Sequence, residues 1–107
     1  MNRLLLQGSL AERSALRYTP AGLPALDLSL KHESVVQEDG QARKVSMEIK
    51  AVAIGTVSST LAPLALGSSG LFSGFITRTR NGRGLLFHIT SFELLAAEDL
   101  LIPTHSP

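Results

Sequence analysis

Hydrophobic and polar positions alternate with a period of two along most of the 107-residue chain, the pattern of half-buried strands. In RLLLQGSL, residues 3–10, Leu4, Leu6, Gly8 and Leu10 share one face, and Arg3, Leu5, Gln7 and Ser9 the other. Gly8, with no side chain to pack, marks a bulge or a bend there. The segment RYTPAGLP is turn material, with Pro20 presetting φ and Gly22 tolerating a positive one. A second strand directs Leu26, Leu28, Leu30 and His32 inward and Asp27, Ser29 and Lys31 outward. Asp39-Gly40 is a dipeptide favoured in tight hairpins. It leads into a third strand over 43–54, where Val45, Met47, Ile49 and Ala51 lie opposite Lys44, Ser46, Glu48 and Lys50. Residues 55–70 are small, hydroxyl-rich and uncharged, and Pro63 limits them to a loop with at most one short helical turn. A fourth strand, 71–79, alternates Leu71, Ser73, Phe75 and Thr77 with Phe72, Gly74, Ile76 and Arg78. Asn81-Gly82 gives a second hairpin signal. The fifth strand, 85–95, sets Leu85, Phe87 and Ile89 against Leu86, His88, Thr90 and Phe92.

Five strands with a gap between the third and fourth predict an all-β OB-fold. This is a five-stranded Greek-key barrel, here without a long helix between strands three and four. A small β-sandwich would show the same alternation. The domain spans 1–97, and 98–107, with Pro103 and Pro107, reads as a flexible C-terminal tail.

Composition narrows the functional classes. With 44% hydrophobic and 18% charged residues the chain is a folding sequence, not a low-hydropathy disordered one. The absence of cysteine removes disulfides, thiolate metal sites and cysteine nucleophiles, and fits a reducing cytosol. No apolar run is long enough to span a membrane, and MNRLLLQG is too short to supply a secretory h-region. A formal charge of +1 offers no global basic excess for nucleic acid. Five aromatics, four Phe and one Tyr, make base stacking look poorly supplied.

No catalytic constellation emerges. His32, His88 and His105 have no HExxH spacing and no cysteine to complete a zinc set. Each of the two strand histidines reads as an ordinary hydrogen-bonded side chain. No GxSxG elbow occurs, and NGRG lacks the Lys-Ser/Thr of a phosphate loop. Glu93, Glu98 and Asp99 read as a solvated end. Nothing requires a metal or a cofactor, and the chain reads as a non-enzyme.

One cluster stands out. Arg78, Arg80 and Arg83 fall within six residues at a hairpin tip, with no acid among them. In an OB-fold that hairpin lines the binding cleft, together with the loop after the first strand and the face of strands two and three. Arg13 and Arg17 fall in that first loop, Lys31 on strand two, and Lys44 and Lys50 on strand three. Asp27 and Glu48 share the same face and would repel phosphate. An arginine-rich tip also serves simply to keep a sheet edge soluble, so the residues alone leave both readings open.

The segment NRLLLQGSLAERSALRYTPAGLPALDLSL resembles the opening of bacterial single-stranded-DNA-binding proteins, with its NR pair, its LxGxL and its LRYTPxGxP. LKHESVVQEDG, GFITRTRNGRG and LLFHITSFELL narrow the resemblance to the primosomal replication protein N (PriB) family, in order over residues 2–95. The resemblance implies a homodimer of OB-folds that binds single-stranded DNA and the primosome helicase during replication restart. In that family the helicase and a small loader-associated primosome protein compete with DNA for overlapping surfaces. Carried over, Arg17 matches a basic position used for DNA, and Arg78, Arg80 and Arg83 approximate the basic loop, here two or three residues shorter. Ser46 and Gln41 stand where members place aromatics, and Glu33 replaces a basic residue. Each stacked base contributes about 1–3 kcal/mol, so the resemblance predicts weak DNA binding dominated by salt-sensitive phosphate contacts. Tyr18 is then the one remaining aromatic available for stacking. A protein-interaction module with residual DNA binding is the alternative function. Leu5 between Arg3 and Gln7 is apolar where a free edge is normally charged, which fits pairing of first strands about a two-fold axis.

Overall fold

The computed structural model describes residues 1–95; the expected tail over 98–107, with Glu98 and Asp99, lies outside them. The described chain runs β1 (Leu4–Arg13), β2 (Arg17–Tyr18), β3 (Pro24–Glu38), β4 (Gln41–Ile54), α1 (Thr56–Leu61), β5 (Ser69–Arg78) and β6 (Leu85–Leu94). β1 pairs antiparallel with β5 and β5 with β6. β6 runs parallel to β4, β4 is antiparallel to β3, and β3 returns to β1. That circuit closes the expected five-stranded OB barrel. β2 is a two-residue addition on the edge of β3, with Arg17 opposite Ala25 and Tyr18 opposite Pro24.

The alternation read from the sequence places the core correctly over most strands. Leu6 and Leu10 from β1, Leu26, Leu28 and Leu30 from β3, Ala51 and Ala53 from β4, Phe72 from β5, and Phe87 and Ile89 from β6 form one cluster. Burying a side chain of the Leu or Phe class contributes about 1.5–3 kcal/mol relative to leaving it exposed. The link between β4 and β5 holds only the six-residue α1, which packs against β3, β4 and β6 and sends Leu61 into the core. The β3–β4 turn follows its residue chemistry: Asp39 and Gly40 both take positive φ, 52° and 77°, as a two-residue hairpin of this hand requires.

Three features differ from the sequence reading. Gly8 is not a bulge; a Cβ there would lie 2.9 Å from the Lys31 carbonyl oxygen, so the position needs its bare backbone where β1 meets β3. The β1 bulge falls instead at Ala11, between the Leu10–Leu30 and Glu12–Ser29 pairs. A second bulge, at Thr90 of β6, separates the Ser73–Ser91 and Gly74–Ile89 pairs. An extra residue reverses the in–out parity, so Phe92 joins Phe87 and Ile89 on the core side and packs on Phe72 with ring centroids 4.9 Å apart. The third difference is the length of the β3–β4 hairpin. Its ladder continues to the Glu38–Gln41 pair, well beyond Lys31 and the last pairing with β1. Val35, Val36 and Met47 are consequently exposed on a two-stranded ribbon, although Met47 falls on the face read as inward.

Candidate nucleic-acid interface

On the outer face of β3 and β4 the ladder sets Asp27 opposite Val52, Ser29 opposite Lys50, Lys31 opposite Glu48, Glu33 opposite Ser46, and Val35 opposite Lys44. Charges on this face offset one another. The Lys31 ammonium lies 3.9 Å from Glu33, and the Ser29 hydroxyl donates to Glu48 at 3.0 Å. Lys44 and Ser46 are exposed on the ribbon beyond the barrel, whereas Lys31 and Lys50 sit on the barrel wall.

Arg17 and Asp27 form a two-pronged pair, Nε to Oδ2 at 2.8 Å and Nη2 to Oδ1 at 2.9 Å. The Ser14 hydroxyl accepts from the Asp27 amide at 3.0 Å and fixes the loop that delivers Arg17. The guanidinium holds the Asp27 carboxyl below the usual carboxylate range, first through the hydrogen bond and also through its charge. Asp27 raises Arg17 in turn by the same two effects. Arg13 is committed elsewhere: its Nη1 donates to the Leu64 carbonyl oxygen, bracing the end of β1 against the segment after α1. Tyr18 is exposed at 67% on β2.

The β5–β6 tip is a six-residue loop closed by Thr79 N–H to the Gly84 carbonyl at 2.8 Å, not a two-residue Asn-Gly turn. Asn81 Oδ1 accepts from the Thr79 hydroxyl at 2.6 Å and from the Arg83 amide at 2.9 Å, so the loop is internally ordered. Arg80 and Arg83 are exposed on it and Arg78 at the last position of β5 beside it, and none of the three forms an ion pair among the described residues. The loop brings Arg80 to a groove of about 450 Å³ lined also by Arg17, Asp27, Val52, Ile54, Leu86 and His88. Two basic segments more than sixty residues apart in sequence thus meet at one cleft.

The sequence reading missed one pair at that cleft. Phe75 of β5 and His88 of β6 are ladder partners that point outward, and their rings stack with centroids 4.7 Å apart and planes 13° from parallel. Tyr18 is therefore not the one surface aromatic. The available signal was the company Phe75 keeps: it shares its face with Ser73 and Thr77.

Along β1, Leu5 is 64% exposed and borders a shallow groove with Arg3, Ser73, Gly74, Thr90 and Ser91. Pairing with β3 begins only at Ser9, which leaves one edge of residues 4–8 without a strand partner among the described residues. His32 partly covers that edge, donating from Nδ1 to the Gln7 carbonyl at 2.5 Å and accepting at Nε2 from the Ser34 hydroxyl at 2.8 Å. No cluster of three or more potential metal ligands occurs among the described residues, and no helix there is long and apolar enough to cross a membrane.

Comparison with known proteins agrees with this geometry. Residues 2–91 match the family described as another single-strand binding protein family. The chain is 46% identical over 80 residues to replication restart protein PriB of Bordetella pertussis, covering 75% of each chain. PriB of Ralstonia solanacearum superposes with a TM-score of 0.82 at 35% identity, covering 90% of this chain and 99% of that one. The single-stranded DNA binding protein of Thermus aquaticus gives 0.72 at 25% identity, covering 92% of this chain and 52% of that one. The chain belongs to the PriB replication restart proteins within the single-strand binding OB-folds.

Proposed function

We propose that the protein is a non-catalytic single-stranded-DNA-binding adaptor of replication restart in the bacterial cytoplasm. The observation that carries this reading is the convergence of Arg17 and Arg80 on one groove over the outer face of the barrel. Arg78 and Arg83 extend the cationic rim, and Lys31 and Lys50 extend it down the β3–β4 wall. Lys44 and Ser46 would meet DNA only if the strand followed the ribbon outward. The primosome helicase and the small loader-associated primosome protein are the protein partners of this reading, competing with DNA for overlapping surfaces. A homodimer forms through the open edge of β1, with Arg3, Leu5 and Gln7 at the contact.

Binding is expected to be weak and electrostatic, because three acids, Asp27, Glu33 and Glu48, share the β3–β4 face with the lysines. Titration of a dT oligomer across a salt series tests this, with wild type compared with the Arg78→Ala/Arg80→Ala/Arg83→Ala variant. For single strands the logarithmic salt slope is about −0.7 per neutralised phosphate. Loss of three contacts should therefore flatten the slope by about 2 and lower affinity. Tight binding that ignores salt would contradict the reading.

A protein-interaction module with residual DNA binding is the second reading, favoured by exposed Val35, Val36 and Met47 on the ribbon. Under it, the triple-arginine variant keeps its stimulation of the helicase while DNA binding disappears.

A further inference from the structure

The Phe75–His88 stack has no part in a binding mode made only of phosphate contacts, yet it borders the groove where that mode is centred. Phe72 and Phe87 are fully buried and Phe92 packs against the core, so Phe75, 38% exposed, is the phenylalanine that faces outward. Its ring holds the His88 imidazole nearly parallel to itself. Two strands line His88 on opposite sides: Phase-matched in the ladder, Phe75 of β5 lies on one and Val52 of β4 on the other. The side away from Phe75 therefore opens on the groove, whose remaining lining is Val52, Ile54 and Leu86 with Arg17, Asp27 and Arg80. A flat ring beside aliphatic side chains, with arginines alongside, suits a nucleobase and its phosphate, since base–aromatic stacking and backbone neutralisation are the two components of single-strand binding. The volume of about 450 Å³ falls within the range of small-molecule sites.

We propose that this groove seats one nucleobase of a single strand against the His88 ring, with Arg80 on the adjoining phosphate. His88 touches the base; Phe75 acts through it as a positioning residue, preventing the imidazole from turning away. This inference rests on the single-stranded-DNA reading above and deepens it. It supplies a stacking platform on the β5–β6 side of a chain that has Gln41 and Ser46 on the β3–β4 side.

The test compares wild type, His88→Ala, Phe75→Ala and His88→Phe against a dT oligomer and an abasic oligomer of the same length. Both alanine variants should bind dT about five- to a hundredfold more weakly. Their affinity for the abasic strand and their salt slope should be unchanged, and His88→Phe should retain dT binding. Alanine variants that bind dT like wild type, or that lose dT and abasic strands equally, overturn the inference. So does a wild type that does not distinguish the two oligomers, although DNA binding as such would then stand. A wild type that binds neither oligomer overturns the single-strand reading itself, and this inference with it.

Discussion

Arg17 shows how a single contact can be set against function. Its guanidinium grips both Asp27 oxygens in the two-pronged geometry that makes such pairs directional, at a position where both side chains are about half exposed. Solvent screening limits the value of such a pair to about 0.2–1 kcal/mol. The folded-state pKa of Asp27 is lowered, so its stabilising contribution is complete above the unfolded carboxyl pKa. It is lost as pH falls through the lower folded value, below about pH 4. Asp27→Asn should therefore cost no more than about 1 kcal/mol at neutral pH in urea denaturation. The same change removes a carboxylate from the groove and releases Arg17. Affinity for a dT oligomer should rise, and the salt slope should steepen by about 0.7. An unchanged slope would place Arg17 off the path of the strand.

At the level of elements, the β3–β4 turn and most strand faces were legible because their causes are local. Asp39-Gly40 needs only its own φ preferences, and Leu26, Leu28 and Leu30 need only a period of two. The bulges were not legible, because an extra residue in one strand is defined by its partner: Thr90 is extra only relative to Ser73 and Gly74. That one residue explains why Phe92, assigned by parity to the outer face, is a core side chain. Gly8 is the same lesson at the β1–β3 contact. Gly8→Ala should destabilise the protein by about 1–3 kcal/mol, the usual range for overpacking, because the new Cβ would meet a backbone oxygen instead of a flexible side chain. Chemical denaturation measures this; wild-type stability in that variant would mean that β1 and β3 can separate there without loss.

For the molecule as a whole, the edge of β1 at residues 4–8 is a hydrogen-bonding surface without a strand partner among the described residues, and Leu5 is the apolar side chain beside it. Such an edge is a template for another strand, and pairing about a two-fold axis satisfies both copies at once. In the proposed dimer, Leu5→Lys puts like charges close to one another across that axis. It should convert a particle of twice the chain mass into one of single mass in light scattering, while the circular dichroism of the barrel persists. Wild type already at single mass would rule out the dimer. Charge is likewise a property of arrangement here. The formal +1 of the chain conceals a β5–β6 tip whose arginines form no ion pair among the described residues and a β3–β4 face where acids and lysines offset one another.

The period of the hydrophobic pattern, the turn dipeptides and the clustering of Arg78, Arg80 and Arg83 are written in neighbouring residues, and they were enough for an OB-fold with a basic hairpin. Strand pairing and closure decided the rest. Arg17 is ten residues from Asp27, Phe75 thirteen from His88, and Arg13 fifty-one from its partner carbonyl at Leu64. Contacts at such separations depend on which strands become neighbours and in what register. Hairpin register sets the Arg17–Asp27 and Phe75–His88 pairs, and barrel closure sets the rest, making Arg13 a brace against Leu64 and bringing Arg17, Arg80 and His88 to one groove.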